Sequence, residues 1–251
     1  MRTIAFAALT AILLATPSLA GPVEDLLSGA RTECRGCDLS DARFKSADLS
    51  NVDFTGANLA GATFHRATLK DAVFDGATLT GTNFNLADLG GASFANADAT
   101  GAYFYEAQLS GANLSGANLS NARMQHARLT GADLSGSTLD KTVMKEVRLN
   151  NADLSNASML QTNLSAASVG RSVFANARID NGTFVNAKMA GADFSGAVIT
   201  LTDFYSADMD KVVFTGATVA GSRFTRARVQ DSVFADAKMI RNFMQDGQAQ
   251  E

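Results

Sequence analysis

The chain is poor in the residues from which metal sites and redox centres are built. It contains two Cys, two His and no Trp in 251 residues. Cys34 and Cys37 have the Cys-x-x-Cys spacing, which in isolation indicates a redox dithiol or half of a zinc site. With only two Cys and no His nearby in the sequence, a zinc ion would lack ligands. The choice between a redox dithiol and a zinc site depends on the sequence around the two cysteines.

Marks of common enzyme classes are also missing. There is no Gly-x-Gly-x-x-Gly after a strand and no Walker loop. Ser and Asp are frequent, but nothing distinguishes one Ser from the next as a nucleophile. A net charge of −4 does not indicate a nucleic-acid or membrane partner, and an apolar content of 46% argues against global disorder. We therefore predict no catalytic residue, no metal and no cofactor, and a protein that is not an enzyme.

The chain has one apolar run near its start, and that run is too short to span a bilayer comfortably. Arg2 precedes an uncharged stretch from Ile4 to Leu14, and Ser18-Leu19-Ala20 places small residues where a signal peptidase cuts. Residues 1–20 are thus predicted to be a Sec-type signal peptide. The mature protein would lie in the periplasm or outside the cell, with no stable membrane anchor.

A repeat of five residues organises nearly all of the remaining sequence. Counting in fives from Leu39 to Met239 gives (239 − 39)/5 + 1 = 41 positions, and each holds Leu, Phe, Met, Val, Ile or Ala. A small residue, most often Ala, lies two residues before each of them. Period five fits neither a helix nor a strand. Because each unit is too short to bury its own large residue, the units must stack as a solenoid.

This pattern resembles that of the pentapeptide-repeat family, A(D/N)LXX. Clear instances are AlaAspLeu at 47–49 and 132–134 and AlaAsnLeu at 57–59, 112–114 and 117–119. The resemblance implies an all-β solenoid, a right-handed quadrilateral parallel β-helix with four pentapeptides in each coil. Residues 34–240 would form about ten coils, in a rod roughly 50 Å long. A short N-terminal capping helix is expected within residues 21–33, and a C-terminal cap with a disordered tail in 241–251.

A coil of 20 residues sorts the side chains by face. The fourteen Phe of the repeat then fall in two stacks on opposite faces, and Leu, Met, Ile and Val fill the other two. Between Leu109 and Val169 there is no Phe, which predicts a local change of twist or a shallow bend around 135–165. His65 and His126 would be about three coils, roughly 14 Å, apart, so they cannot share a metal ion.

One face gathers aromatic and basic residues on its outside. We call it face two; it consists of the outward residues beside Phe44 and beside the residues stacked on Phe44, together with the corner that follows them. Aromatic and Arg side chains are favoured in binding hot spots. The predicted interaction residues are His65, Arg66, Tyr103, Tyr105, Arg123, His126, Lys145, Tyr205, Arg223 and Arg226.

The register also places the cysteines. Cys34 falls on a central position and Cys37 on a small-residue position of the first coil. Both then belong to the core, where thiols are poor nucleophiles. The pair is either reduced or joined in a disulfide.

The favoured function is a non-catalytic exported scaffold that mediates protein–protein interaction. One alternative, also from the family, is a DNA mimic that protects a topoisomerase, which requires a strongly negative rod in the cytoplasm. Another is an accessory subunit of an envelope enzyme. We expect an unknown protein partner, no nucleic acid, and a homodimer contact or a simple cap at Met239, Ile240, Phe243 and Met244.

Overall fold

The computed structural model describes residues 21–244, 246 and 248. The chain forms an all-β parallel solenoid, a β-helix, preceded by one short helix, α1 (Pro22–Leu27). The predicted signal peptide lies outside the described residues, as do residues 245, 247 and 249–251 of the predicted tail. No helix within the described ranges is long and apolar enough to cross a membrane.

Residues 20 apart in the sequence pair side by side, as the family resemblance implies. The parallel pairs run from Glu33 with Asp53 to Arg223 with Phe243. Most are single-residue bridges, but one side carries a five-stranded parallel sheet in the C-terminal half. Its strands, in spatial order, are β1 (Ser158–Leu160), β2 (Arg178–Asp180), β3 (Val198–Thr200), β4 (Thr218–Ala220) and β5 (Lys238–Ile240).

The sheet begins where one corner of the solenoid changes its hydrogen bonding. In earlier coils this corner closes with a turn, for example Thr142 N–H to the Leu139 carbonyl at 3.1 Å. Further along, Thr202 N–H donates instead to Ser222 Oγ at 3.1 Å, and Ser222 N–H donates to Asn242 Oδ1 at 2.9 Å. The 20-residue pairing continues without interruption through 135–165. The shallow bend stays a prediction.

The two predicted stacks of Phe form the centre of the core. Phe64, Phe84 and Phe104 lie face to face with ring centroids 5.1 Å apart at each step. Phe74 and Phe94 stack on the opposite side and meet Phe84 edge-on, at 5.5 and 5.7 Å. Aromatic pairs prefer the edge-to-face geometry, which adds about 0.5–1.5 kcal/mol per pair to the burial of the rings. The same arrangement returns from Phe174 onward.

The small residues two positions before the central ones are buried between neighbouring stretches of backbone. Ala87, for example, has no exposed surface. Its N–H donates to the Phe84 carbonyl at 3.0 Å, and its own carbonyl accepts from Gln108 N–H in the next coil at 2.9 Å. A larger side chain would separate these backbones, so the repeat needs a small residue there.

The first coil contains both cysteines and contacts α1. Leu26 is buried in the core, and Val23 packs against it. Cys34 is 1% exposed, whereas Cys37 is only half-buried. The two are joined by a disulfide bond, with their Cα atoms 5.3 Å apart. The prediction that both cysteines are core residues is therefore right for Cys34 and only partly right for Cys37.

Candidate functional site

Face two carries a first cluster of aromatic and cationic side chains in two adjacent coils. The Arg123 guanidinium lies over the Tyr103 ring, 5.5 Å from its centroid, because the two residues are paired partners one coil apart. The rings of Tyr105 and His126 meet edge to face at 5.5 Å. Tyr103 and Tyr105 stay 37% and 41% exposed. These four predicted residues do form one surface patch, with aromatic rings available to a partner.

A second cluster lies further along the same face. The Tyr205 ring has the Arg223 guanidinium 4.9 Å and the Arg226 guanidinium 5.7 Å from its centroid. Arg223 is also paired with Asp203, and this hydrogen bond raises the pKa of the guanidinium above its ordinary value. The charge of Arg223 is thus already neutralised by Asp203.

The remaining predicted residues of face two are not brought into either cluster. His65 and Arg66 lie nearer the N-terminal end, and Lys145 lies one coil beyond the first cluster. No group of three or more potential metal ligands occurs among the residues that the structure describes. We therefore restrict the candidate site to the first cluster and its surroundings.

The corner beside the first cluster has an unusual sequence. Residues at the corners of the coils adopt positive φ, where Gly is favoured and Asn or Asp is tolerated. The opposite corner follows that rule with Gly36, Gly56, Gly76, Asn96, Gly116, Gly136, Asn156, Asn176, Gly196, Gly216 and Asp236. The corner of face two has no Gly; it contains Ser46, Arg66, Leu86, Glu106, His126, Glu146, Ala166, Asn186, Ser206 and Arg226. We call this second set the bulky corner.

Long side chains at these φ values are strained. The φ angles of Glu106, His126 and Glu146 are 53°, 59° and 58°. A non-Gly residue in the left-handed region costs about 1–2 kcal/mol. Gly would remove that penalty at each of these positions, as it does on the opposite corner. Long side chains adopt the same conformation elsewhere, for example Gln161 and Lys211, so the corner of face two differs in having no Gly among its ten residues.

A groove of about 440 Å³ runs along the bulky corner. It is lined by Leu86, Glu106, Gln108, His126, Arg128, Glu146 and Arg148. Both of its carboxylates are engaged. Glu146 Oε2 lies 3.5 Å from His126 Nδ1, and a hydrogen bond with Glu106 raises the pKa of Tyr105 above its ordinary value.

The two arginines of the groove are arranged differently. Arg128 and Arg148 are paired partners in adjacent coils, and within the described residues neither forms an ion pair. In the same column Arg228 has Asp208 at 2.6 Å, and Asp88 has Lys70 at 3.3 Å. Like charges directly opposite each other on neighbouring strands destabilise the pair. A carboxylate bound between the two guanidinium groups would relieve that repulsion through charge-assisted hydrogen bonds.

Sequence reasoning missed this part of the site. Gln108, Arg128 and Arg148 lie on the face next to face two, and only the corner brings them beside Glu106 and His126. The available signal was the step of 20 residues, which places Arg128 and Arg148 side by side.

Comparisons with known proteins agree with the repeat. A family model described as "Pentapeptide repeat region" matches residues 30–104. Another, "Pentapeptide repeats", matches residues 107–145, 157–196 and 183–216. A comparison with curated protein sequences gives no match.

Several solved structures resemble the chain. HetL, a pentapeptide repeat protein involved in heterocyst differentiation regulation from the cyanobacterium Nostoc sp. strain PCC 7120, is 26% identical. That match covers 92% of this chain and 99% of HetL, with a TM-score of 0.49. QnrB1, a plasmid-mediated fluoroquinolone resistance protein, is 19% identical over 83% of this chain and 90% of its own, with a TM-score of 0.33. Because the two family models together match more than half of its residues, the chain belongs to the pentapeptide repeat family.

Proposed function

We propose that the protein is a non-catalytic scaffold, exported to the periplasm or beyond, that binds a partner protein through face two. The solenoid would be a rod of about ten coils with α1 as its N-terminal cap. Burial of Leu26 and packing of Val23 against the core support the capping role. The signal-like N-terminus supports export, and a disulfide at Cys34 and Cys37 is of the kind that persists in an oxidising compartment.

The bulky corner is the observation on which the binding proposal depends. The opposite corner demonstrates that Gly, Asn and Asp satisfy the fold at the same backbone geometry. Glu106, His126 and Glu146 are therefore not needed for folding, and each is retained against a conformational penalty. These residues lie beside the exposed tyrosines and the unpaired arginines, so a single surface combines strain, aromatic area and charge.

The chemistry of this surface favours an acidic segment of a protein. Arg128 and Arg148 place two guanidinium groups in one groove, where either can hold a carboxylate through charge-assisted hydrogen bonds. Tyr103 and Tyr105 provide flat, rigid contact area at small entropic cost. Face two therefore differs from the strongly negative surface that a DNA mimic requires.

The open end of the rod supports a further contact. Ile240 and Phe243 are 46% and 48% exposed beside β5, whose outer edge is the last of the sheet. Exposed strand edges are normally covered. We therefore propose that two copies of the chain meet at this end as a homodimer.

Substitution of face two provides the test of binding. The mature protein is used to capture partners from periplasmic extract, in parallel with a variant carrying Tyr103→Ala, Tyr105→Ala and Arg123→Ala. We expect the captured band to disappear with the variant, because the aromatic surface and its stacked guanidinium are gone. A control variant with Arg171→Ala, Val173→Ala and Val213→Ala, away from face two, should capture normally. Equal capture by all three proteins would contradict the proposal.

A second variant separates binding from folding. His126→Gly removes a ring from the groove and also relieves the positive-φ strain at residue 126. We expect the melting temperature to stay level or rise by a few degrees, and partner affinity to fall by about tenfold or more. Loss of binding in a protein of equal or higher stability excludes unfolding as the cause. Unchanged affinity would mean that the bulky corner does not contact the partner.

A further inference from the structure

The Cys34–Cys37 disulfide lies in an open depression of about 470 Å³ at the N-terminal end of the rod. The depression is lined by Arg31, Thr32, Glu33, Cys34, Arg35 and Cys37. Since Cys34 is buried and Cys37 is half-buried, an incoming group reaches the Cys37 sulfur first. The bond is therefore accessible from one side.

Arg31 contacts both sulfur atoms of this disulfide. Its Nη1 lies 3.7 Å from Cys34 Sγ and 3.8 Å from Cys37 Sγ. A nearby guanidinium stabilises the thiolate form of cysteine, and a better-stabilised thiolate is a faster leaving group in exchange. Arg35, at the same depression, is instead paired with Asp53 at 2.6 Å. Arg31 can therefore stabilise the thiolate of either cysteine when the disulfide breaks.

The backbone of both cysteines is held independently of the disulfide. Cys34 N–H donates to the Asp53 carbonyl at 2.7 Å, and the Cys37 carbonyl accepts from Asn58 N–H at 2.8 Å. These bonds to the next coil do not involve sulfur. Reduction would therefore leave the two thiols close together and able to close again.

We infer that Cys34 and Cys37 form a reversible thiol–disulfide exchange site, whose reaction partner is a dithiol protein. A partner thiolate attacks Cys37 Sγ, and the Cys34–Cys37 bond breaks. Cys34 leaves as a thiolate beside Arg31, and a mixed disulfide links Cys37 to the partner. The second partner thiol then attacks the partner sulfur of that bond, and Cys37 leaves as a thiolate. Two electrons pass to this protein, its two sulfurs take up protons, and the partner ends as a disulfide. This inference is independent of face two.

Kinetics of reduction test the role of Arg31. The full-length mature protein is reduced with dithiothreitol, and the free thiols are counted over time by mass analysis after alkylation. We expect Arg31→Ala to slow reduction by about tenfold, because the leaving thiolate loses its cationic neighbour. Arg31→Lys should recover part of the rate, and Arg35→Ala should stay within about twofold of the parent.

A second readout distinguishes exchange from a purely structural disulfide. In the reduced protein, the rate of alkylation against pH should give an apparent thiol pKa below the ordinary value of about 8.5, and Arg31→Ala should raise it. If the disulfide had only a structural role, Arg31→Ala would change the melting temperature and leave the pH dependence of the alkylation rate unchanged. Equal reduction rates for the parent and Arg31→Ala, or a pH profile that Arg31→Ala leaves in place, would overturn the inference.

Discussion

Replacement of Phe84 by Ala is expected to lower the free energy of unfolding by about 3–5 kcal/mol. The Phe84 ring is fully buried, stacked between Phe64 and Phe104 and met edge-on by Phe74 and Phe94. Removing it leaves a cavity that four neighbouring rings line. Because a solenoid is stabilised by contacts between adjacent coils, both interfaces of this coil weaken together.

Chemical denaturation followed by circular dichroism measures the loss. Phe84→Leu is the matched control, since Leu occupies the same column at residue 164 without any change in register. We expect that variant to lose only about 1–2 kcal/mol. If Phe84→Ala unfolds at the same denaturant concentration as the parent, the ring stack does not stabilise the solenoid as described.

Enlarging a small interior residue is expected to be the second most damaging change. Ala87→Leu should lower the free energy of unfolding by about 1–3 kcal/mol, although it adds apolar surface. Ala87 is fully buried, and backbone hydrogen bonds fix both its N–H and its carbonyl. The added atoms can be accommodated only by moving adjacent coils apart.

Ala87→Ser separates size from polarity in the same denaturation experiment. Ser172 stands at an equivalent buried position, where its Oγ donates to the Leu149 carbonyl at 2.7 Å. A Ser at residue 87 has the same type of backbone acceptor, so we expect a loss below about 1 kcal/mol. If Ala87→Leu is as stable as the parent, the interior has unfilled space at this position and the fold does not require a small residue there.

Much of the fold follows from the sequence because the period is a geometric constraint. An apolar residue at every fifth position predicts a solenoid, and the coil of 20 residues that the family resemblance implies then gives the two Phe stacks. The altered corner that follows β3, β4 and β5 could not be predicted in the same way. It depends on the hydroxyl and amide groups of Thr202, Ser222 and Asn242 competing with backbone acceptors, and many similar residues elsewhere do not compete.

The candidate site was only partly predictable for a related reason. Tyr103, Tyr105, Arg123 and His126 share a face, so the register alone brings them together. The groove crosses a corner, and its arginines belong to a different face. The approach of Arg31 to both sulfurs depends on the path of the chain between α1 and the first coil, which lies outside the repeat.

A rigid rod with one coil every 20 residues is the central claim, since face two, the groove and the proposed binding function depend on it. Spin labels at Thr63→Cys and Thr183→Cys test it most directly in the otherwise unaltered mature protein. The two positions are 183 − 63 = 120 residues apart in one outward column, which is six coils. Electron–electron resonance should give a single narrow distance of about 29 Å, six times the strand spacing of about 4.8 Å. A broad distribution, or a distance well outside that value, would contradict the account.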